Sequence, residues 1–445
     1  MTLIETPPEW GYISSTRQEE FNGGLNTPEV QSFIRKANEE YLHWEKLKYL
    51  PMPEGIDPEL AWSFVKLSRF MQAKPTEIKT PNGNRFKYWL PDSILRELHF
   101  IDQTAAGQIL VEDPASVGSE KDRYVINALM EEAIASSILE GAATTHKRAK
   151  EMLRDGRKPV TRGEMMIQNN YLTMKEIKNR LRSELSIELL CEFQASITKN
   201  TLDDPTGSGR LRREDEDVRV YDQTDGAVLY TPPPAEELRT RLKKLCEFAN
   251  TSSEDSFVHP VIKAIILHFW LAYEHPFVDG NGRTARTLLH WYLVKNKYRL
   301  IEYLPISRII LRAPSKYKMA FLYSEHDDED LTYFIHFNIH ALRLALDDLK
   351  KYVAEKQKEI AEARTIVKRL PGLNYRQQEL IHHALHHPDA IYSIVRHKIL
   401  HRVVYQTART DLRQLVAKKL LRMGKSGRIL LFYPVADLAK KMKTG

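Results

Sequence analysis

The stretch His275-Pro276-Phe277-Val278-Asp279-Gly280-Asn281-Gly282-Arg283-Thr284-Ala285-Arg286 decides how this chain folds around its chemistry. Upstream, Ile262, Ile265, Phe269 and Ala272 recur at helical spacing between Val261 and Tyr273, and downstream Thr287 to Val294 reads as a second apolar helix. The stretch is therefore a loop that opens a helix. The first N–H groups of a helix lack internal partners, and the helix dipole favours negative charge there. Gly280 and Gly282 flank Asn281 and let the backbone take positive φ and approach a ligand closely, so that successive N–H groups converge on an anion.

Side chains around this cradle carry the rest of the chemistry. Arg283 falls on the first helical turn and Arg286 three residues later on the same face, so both guanidinium groups reach one anion. Asp279 lies just ahead of the cradle, a natural place for a Mg²⁺ ligand, since Mg²⁺ takes one or two carboxylates plus phosphate oxygens. His275 precedes the loop and can accept a proton near neutral pH. Phe277, between the two polar working residues, reads as the apolar anchor of the loop.

With every specified position present, the run resembles the signature of Fic-domain proteins, His-Pro-Phe-x-Asp-Gly-Asn-Gly-Arg-x-x-Arg. The resemblance implies a mainly α fold, a helical core carrying a β-hairpin flap. It also implies an enzyme that moves AMP from ATP to a Ser, Thr or Tyr hydroxyl of a protein substrate. His275 would then be the general base and Asp279 the Mg²⁺ ligand. Gly280, Asn281 and Gly282 would form the phosphate cradle, and Arg283 and Arg286 would hold the β- and γ-phosphates. Some relatives transfer other phosphate-linked groups, so the signature specifies the family more closely than the transferred moiety.

Ser136-Ser137-Ile138-Leu139-Glu140-Gly141 resembles the family's inhibitory motif, Ser/Thr-x-x-x-Glu-Gly/Asn, in the subclass where it precedes the core. Ala133, Ser136, Ser137 and Glu140 fall on one helix face, and Gly141 is the stop expected after Glu140. A carboxylate held there can pair bidentately with Arg286 and occupy the place that a γ-phosphate needs. On its own the segment reads rather as an ordinary helix C-terminus with a solvated Glu. Beside the loop, it makes Ser136 and Glu140 the expected restraint. The same carboxylate could instead position a water that removes AMP from a modified protein.

A third segment, Val218 to Thr231, places two β-prone arms around Asp225-Gly226, a strong hairpin signal, before Pro232-Pro233-Pro234 and a helix from Glu236. By resemblance this is the flap that clamps the target by strand addition. Thr206-Gly207-Ser208-Gly209-Arg210 is similar to the family's glycine-arginine turn before it.

With 445 residues, the chain suggests two to four domains. No apolar run approaches the roughly 20 residues that span a bilayer, and the first residues lack a basic, then apolar, leader. Two cysteines, Cys191 and Cys246, fit a reducing cytoplasm as the simplest setting. The net charge of +7 is a weak signal over this length. The expected divisions are a helical accessory region over 1–100, a core over 101–370 with the inhibitory helix near 122–141, and a C-terminal domain over 373–437. Leu331 to Val353 is read as the start of a long helix ending before Pro371-Gly372, its later part a charged connector.

In the C-terminal segment, Leu380 to Leu385, Tyr392 to Leu400 and Val404 to Val416 read as three helices before a strand over Gly427 to Tyr433. The order resembles a winged helix-turn-helix, and Gln406-Thr407-Ala408-Arg409-Thr410-Asp411-Leu412 is similar to recognition helices of bacterial regulators. Gln406, Arg409 and Arg413 would then contact DNA. Protein docking is the equal alternative, and a nucleotide-sensing DNA-binding regulator is the alternative to the enzyme; a homodimer is left open. His382-His383-Ala384-Leu385-His386-His387 has zinc-like i, i+4 pairs but no companion ligand at a motif spacing, and reads as surface or half-buried histidines.

Overall fold

Two helices that are buried almost all the way round lie at the centre of the molecule; the first is apolar on nearly every face, and the second carries buried polar and charged side chains as well. Pro260–Glu274 and Asn281–Lys295 pack against each other, and Ile262, Ile265, Phe269, Leu288, Trp291 and Leu293 are essentially inaccessible. The computed structural model describes residues 4–105, 117–221, 226–251, 257–367, 372–386, 388–426 and 429–438. The expected turn at Asp225, the helix end at Pro371 and the basic turn at Gly427-Arg428 lie outside them. Around the central pair stand the helices Arg162–Glu176, Ile187–Thr198, Leu238–Asn250, Ile306–Arg312, Pro314–His326 and the long helix Thr332–Val367. Phe269, Phe321 and Phe334 pack ring against ring where three of these meet. Among the described residues, no helix is long and apolar enough to cross a membrane.

An antiparallel hairpin, Lys74–Lys79 with Arg85–Tyr88, adds Ile78, Phe86 and Tyr88 to this core. Only its second strand is legible from the sequence. The first has the pattern Lys-Pro-Thr-Glu-Ile-Lys, with Thr76 and Ile78 turned inward among charged residues. Upstream, helices from Trp10 to Phe70 bury Trp44, Leu60, Trp62 and Phe64 in a core of their own. Buried polar bonds lock that bundle onto the main core. Lys66 Nζ reaches Asp327 at 2.7 Å, Arg69 Nη1 donates to the Tyr333 hydroxyl at 2.7 Å, and the Tyr41 hydroxyl donates to Asp330 at 2.5 Å.

Helix Val117–Leu139 closes one side of the core, lying against Arg162–Glu176 and Ile306–Arg312. It starts earlier than the sequence pattern indicates and its last helical residue precedes Glu140. Gly141, with φ +82°, ends it: Gly141 N–H donates to Ile138 O at 3.0 Å and Ala142 N–H to Ser137 O at 3.0 Å. That pair of bonds is the Schellman stop. The buried carboxylate of Glu132 pins the helix by accepting from Ser307 N–H at 2.8 Å and from the Ser307 hydroxyl. It thereby caps an orphan donor of the helix Ile306–Arg312.

The C-terminal residues have a third core, built from Leu380, Ile381, Ile394, Ala408, Leu412, Leu415 and Phe432. Helices Tyr375–His386, Ile394–His401 and Tyr405–Ala417 are followed by the paired strands Leu421–Ser426 and Ile429–Pro434. Tyr392 and Ser393 depart from the sequence reading: they form a short strand against Phe432 and Leu431, so the second helix starts at Ile394. That pairing is long-range and invisible to local periodicity. The element order is the one that a winged helix-turn-helix requires.

Lys66 and Asp327 are both almost fully buried, so removing one strands the other's charge. Lys66→Ala should lower unfolding stability by about 3–5 kcal/mol, read as a reduced urea midpoint; an unchanged midpoint would show that the bundle is not held by this pair.

Candidate active site

The two central helices are joined by six residues, His275 to Gly280, whose geometry is set by backbone strain and one side chain. His275 takes a left-handed conformation, φ +46°, and its N–H donates to Leu271 O at 3.1 Å, which ends the helix Pro260–Glu274. Histidine tolerates this region better than bulky residues do, but the conformation must be held by its surroundings. Asn281 holds it. Its Oδ1 accepts from Phe277 N–H at 2.9 Å and its Nδ2 donates to Phe277 O at 2.7 Å, while the Phe277 ring is fully buried. The side chain of Asn281 thus closes the loop, leaving only its backbone to face a ligand. Gly280, φ +85°, presses so close to the helix Ile187–Thr198 that an added Cβ would come within 2.8 Å of Thr198 Cγ2.

The imidazole of His275 is half-buried, and Nδ1 lies 3.2 Å from Ala272 O. Donation to that carbonyl assigns the proton to Nδ1 and leaves the Nε2 lone pair free to accept one. Burial pulls this imidazole below its ordinary range; the Ala272 carbonyl and the Glu140 charge oppose the shift without cancelling it.

Arg212, which the sequence reading did not single out, ties this residue to the flap. Its Nε donates to His275 O at 2.9 Å, its Nη2 donates to Pro233 O, and its backbone N–H donates to Pro276 O at 2.8 Å. Arg210, which that reading did note, is turned away and paired with Glu216, Nη1 donating to Oε2 at 2.9 Å. The flap itself is the antiparallel pair Val220–Tyr221 and Val228–Tyr230, with a register shift between its two rungs.

Asp279 is half-exposed; its Oδ1 accepts from Gly280 N–H at 2.5 Å and lies 3.1 Å from Arg283 Nη2. Arg283 is fully buried, with Nη1 3.5 Å from Ile197 O and no partner for Nε among the described residues. These two groups sit on the loop as the sequence indicates, but in this state Arg283 is engaged with Asp279.

Glu140 is brought to the same place from 146 residues upstream in sequence. Its Oε1 accepts from Arg286 Nη2 at 2.9 Å. The carboxylate lies over the helix N-terminus: a Cβ built on Gly282 would be 2.2 Å from Glu140 Oε1. The pairing is not bidentate as the sequence suggests. Arg286 Nε donates to Ser136 Oγ at 2.9 Å and Nη2 also donates to Ser136 O at 2.9 Å, so part of the guanidinium fork is taken by the turn above Glu140. Burial pushes the Glu140 carboxyl up, but Arg286 and Arg283 outweigh it and hold it below the ordinary carboxylate range. The site therefore holds a permanent anion where an anion-binding helix N-terminus and two arginines converge. Gln406, Arg409 and Arg413 belong to the helix Tyr405–Ala417, in the C-terminal core, and take no part in this cluster.

Asp279 fits a Mg²⁺ whose other ligands come from phosphates and water; among the described residues no group of three or more His, Cys, Asp or Glu converges. The unpartnered Arg283 Nε and the uncapped first turn of the helix suit a polyanion rather than a lone metal.

Residues 184–293 match the model of the Fic/DOC family. The chain is similar to the protein adenylyltransferase fic-1 of Caenorhabditis elegans, 32% identical over 115 residues that cover 26% of this chain and 20% of that protein. It is 34% identical to the protein adenylyltransferase Fic of Drosophila virilis over 129 residues, covering 28% of this chain and 24% of that protein. The matches thus span under a quarter of these relatives' length. A solved Fic family protein from Desulfovibrio desulfuricans shares the fold, with a TM-score of 0.52 at 17% identity, covering 82% of this chain and 98% of that one.

The contact between Gly282 and Glu140 makes a test possible without touching either charge. Gly282→Ala should expel the Glu140 carboxylate but also fill the cradle, so nucleotide affinity measured by calorimetry should fall. Affinity raised to the level of Glu140→Gly would show that the cradle does not lie at Gly282.

Proposed function

We propose that this chain, which carries a Fic domain, transfers AMP from ATP to a hydroxyl of a protein and is restrained by its own Glu140. The observation that carries the reading is the coincidence of a proton acceptor, an anion-binding helix start and two arginines on a single loop, with a carboxylate seated where a phosphate would go. With Glu140 withdrawn, the N–H groups after Gly280, together with Arg286, are available to the triphosphate, and Arg283 can exchange Asp279 for a phosphate oxygen. Mg²⁺ held by Asp279 would neutralise charge on the phosphates. A Ser, Thr or Tyr hydroxyl then attacks the α-phosphorus in line, its proton passing to His275 Nε2 as the bond to pyrophosphate breaks. Arg212 holds the loop carbonyl of His275 and the flap exit at Pro233 in one register, so base and target strand move together. Asn281 and Phe277 keep the loop shut while ligands exchange.

A second reading of the same site has its own support. Glu140, held over the same loop, would position a water that removes AMP from a modified protein, with His275 returning a proton to the leaving hydroxyl. The winged-helix reading makes DNA a further partner through Gln406, Arg409 and Arg413.

Purified protein, α-labelled ATP and lysate separate these readings. Glu140→Gly should raise labelling of protein strongly, and adding His275→Ala should abolish it while ATP still binds, a loss of about 10²–10⁴ for a general base. Labelling that survives without His275 would remove it from the mechanism. If Glu140→Gly leaves labelling unchanged and ends AMP removal, the reverse reaction is the better account. The rate profile of the Glu140→Gly variant provides a second check. Burial lowers the His275 value, and removing the nearby negative charge lowers it further. Labelling should thus be flat at neutral pH and decline only below the ordinary histidine range; a midpoint at or above that range would contradict the assignment.

A further inference from the structure

The chain's positive charge is gathered at one end. From Gly372 onward there are 14 Lys and Arg against four Asp and Glu, whereas the whole chain has 66 against 59, so the preceding residues carry a slight acidic excess. One of the four acids, Asp411, is buried and committed to Arg376 at 2.6 Å and His397 at 3.2 Å. On the helix Tyr405–Ala417, Ala408, Leu412 and Leu415 face the core, while Tyr405, Gln406, Thr410 and Arg413 are exposed and Arg409 is half-exposed. A basic unit presenting a polar, arginine-bearing helix face is complementary to a phosphate backbone.

The same unit grips the segment that carries Glu140. Its helix Ile394–His401 lies against both Val117–Leu139 and His146–Asp155. Arg396, in the first turn, forks onto Asp155, Nε to Oδ1 at 2.7 Å and Nη2 to Oδ2 at 3.0 Å. Asp155 ends the helix His146–Asp155. That helix is bound to the Glu140 helix through a small apolar core of Ile134, Ala142, Ala149 and Met152, and through Glu131, which pairs with His146 at 2.7 Å and with Lys150. A path of packed side chains therefore runs from Arg396 to both sides of the turn that carries Glu140, at Ile138 and Ala142.

We propose that the C-terminal unit binds duplex nucleic acid through the exposed face of Tyr405–Ala417, and that this binding releases Glu140 from Arg286. Asp155 is the switch contact: it occupies a guanidinium that a backbone phosphate would claim, and its charge opposes a phosphate at that place. Loading the duplex draws Arg396 away from Asp155 and loosens the hairpin of Val117–Leu139 and His146–Asp155, whose far turn carries Glu140. An exposed ion pair is a weak tie, which suits a contact that a ligand must break. The inference rests on the restraint by Glu140 proposed above.

The test uses the full chain and a fluorescent 30-base-pair duplex of mixed sequence. Anisotropy should show binding whose affinity falls on the order of a hundredfold between 50 and 200 mM salt, as about four phosphate contacts require. Saturating duplex should tighten ATP binding about fivefold or more, and ATP should tighten duplex binding by the same factor. It should also raise labelling from α-labelled ATP. Asp155→Asn should strengthen duplex binding and raise labelling without duplex. Replacing Arg409 and Arg413 together with Ala should abolish the stimulation by duplex. Undetectable or salt-independent duplex binding overturns the proposal and leaves a protein-docking unit; duplex binding that shifts neither ATP affinity nor labelling overturns the linkage. The Glu140→Gly variant without duplex serves as the control. If it labels nothing, AMP transfer is the reading that fails, and the duplex-dependent ATP affinity still tests the linkage.

Discussion

A single guanidinium organises this molecule. Arg286 is buried, and a buried cation needs partners. One turn bonds it three times, through the hydroxyl and carbonyl of Ser136 and the carboxylate of Glu140, and Tyr317 lies beside it. The helix that bears it begins with the strained loop at His275, and the helix that satisfies it is stopped by Gly141 just past Glu140. Satisfying Arg286 from within the chain stabilises the fold and blocks the helix N-terminus. Any ligand that binds there with phosphate oxygens must replace Glu140 as the partner.

The rest of the architecture serves this competition. Glu132 fastens the helix that precedes Glu140 to Ser307. Asn281 and Phe277 hold the loop independently of any ligand, which keeps the cradle formed in the restrained state. Arg212 joins His275 to Pro233, just past the hairpin. The small hairpin carrying Glu140 has an apolar cluster of its own, separate from the main core.

How much of this was legible in the sequence depends on whether an arrangement is local. The loop from His275 to Arg286 could be read because helix starts, glycine freedom and i, i+3 faces are short-range rules. Glu140 could be read because Gly141 marks a helix end. Its single bond to Arg286 could not, since Ser136 competes for the fork only in three dimensions. Arg212 escaped notice because all its partners are backbone carbonyls from other segments, and an arginine bound to carbonyls leaves no pattern. Asn281 reads as cradle from its neighbours, whereas its side chain is spent on Phe277. The docking of the first helices through Lys66 and Arg69 was equally hidden, since its acceptors come from residues 327 to 333. Tyr392 and Ser393 look helical until Phe432 arrives to pair with them.

The most direct test of the central claim is a double-mutant cycle on ATP affinity, measured by calorimetry with Glu140→Gly, Arg286→Ala and the pair. If Glu140 and a phosphate compete for Arg286, removing Glu140 tightens ATP binding when Arg286 is present and leaves it unchanged when Arg286 is absent. An equal gain in both backgrounds would contradict the account, for it would mean that Glu140 hinders ATP without acting through Arg286.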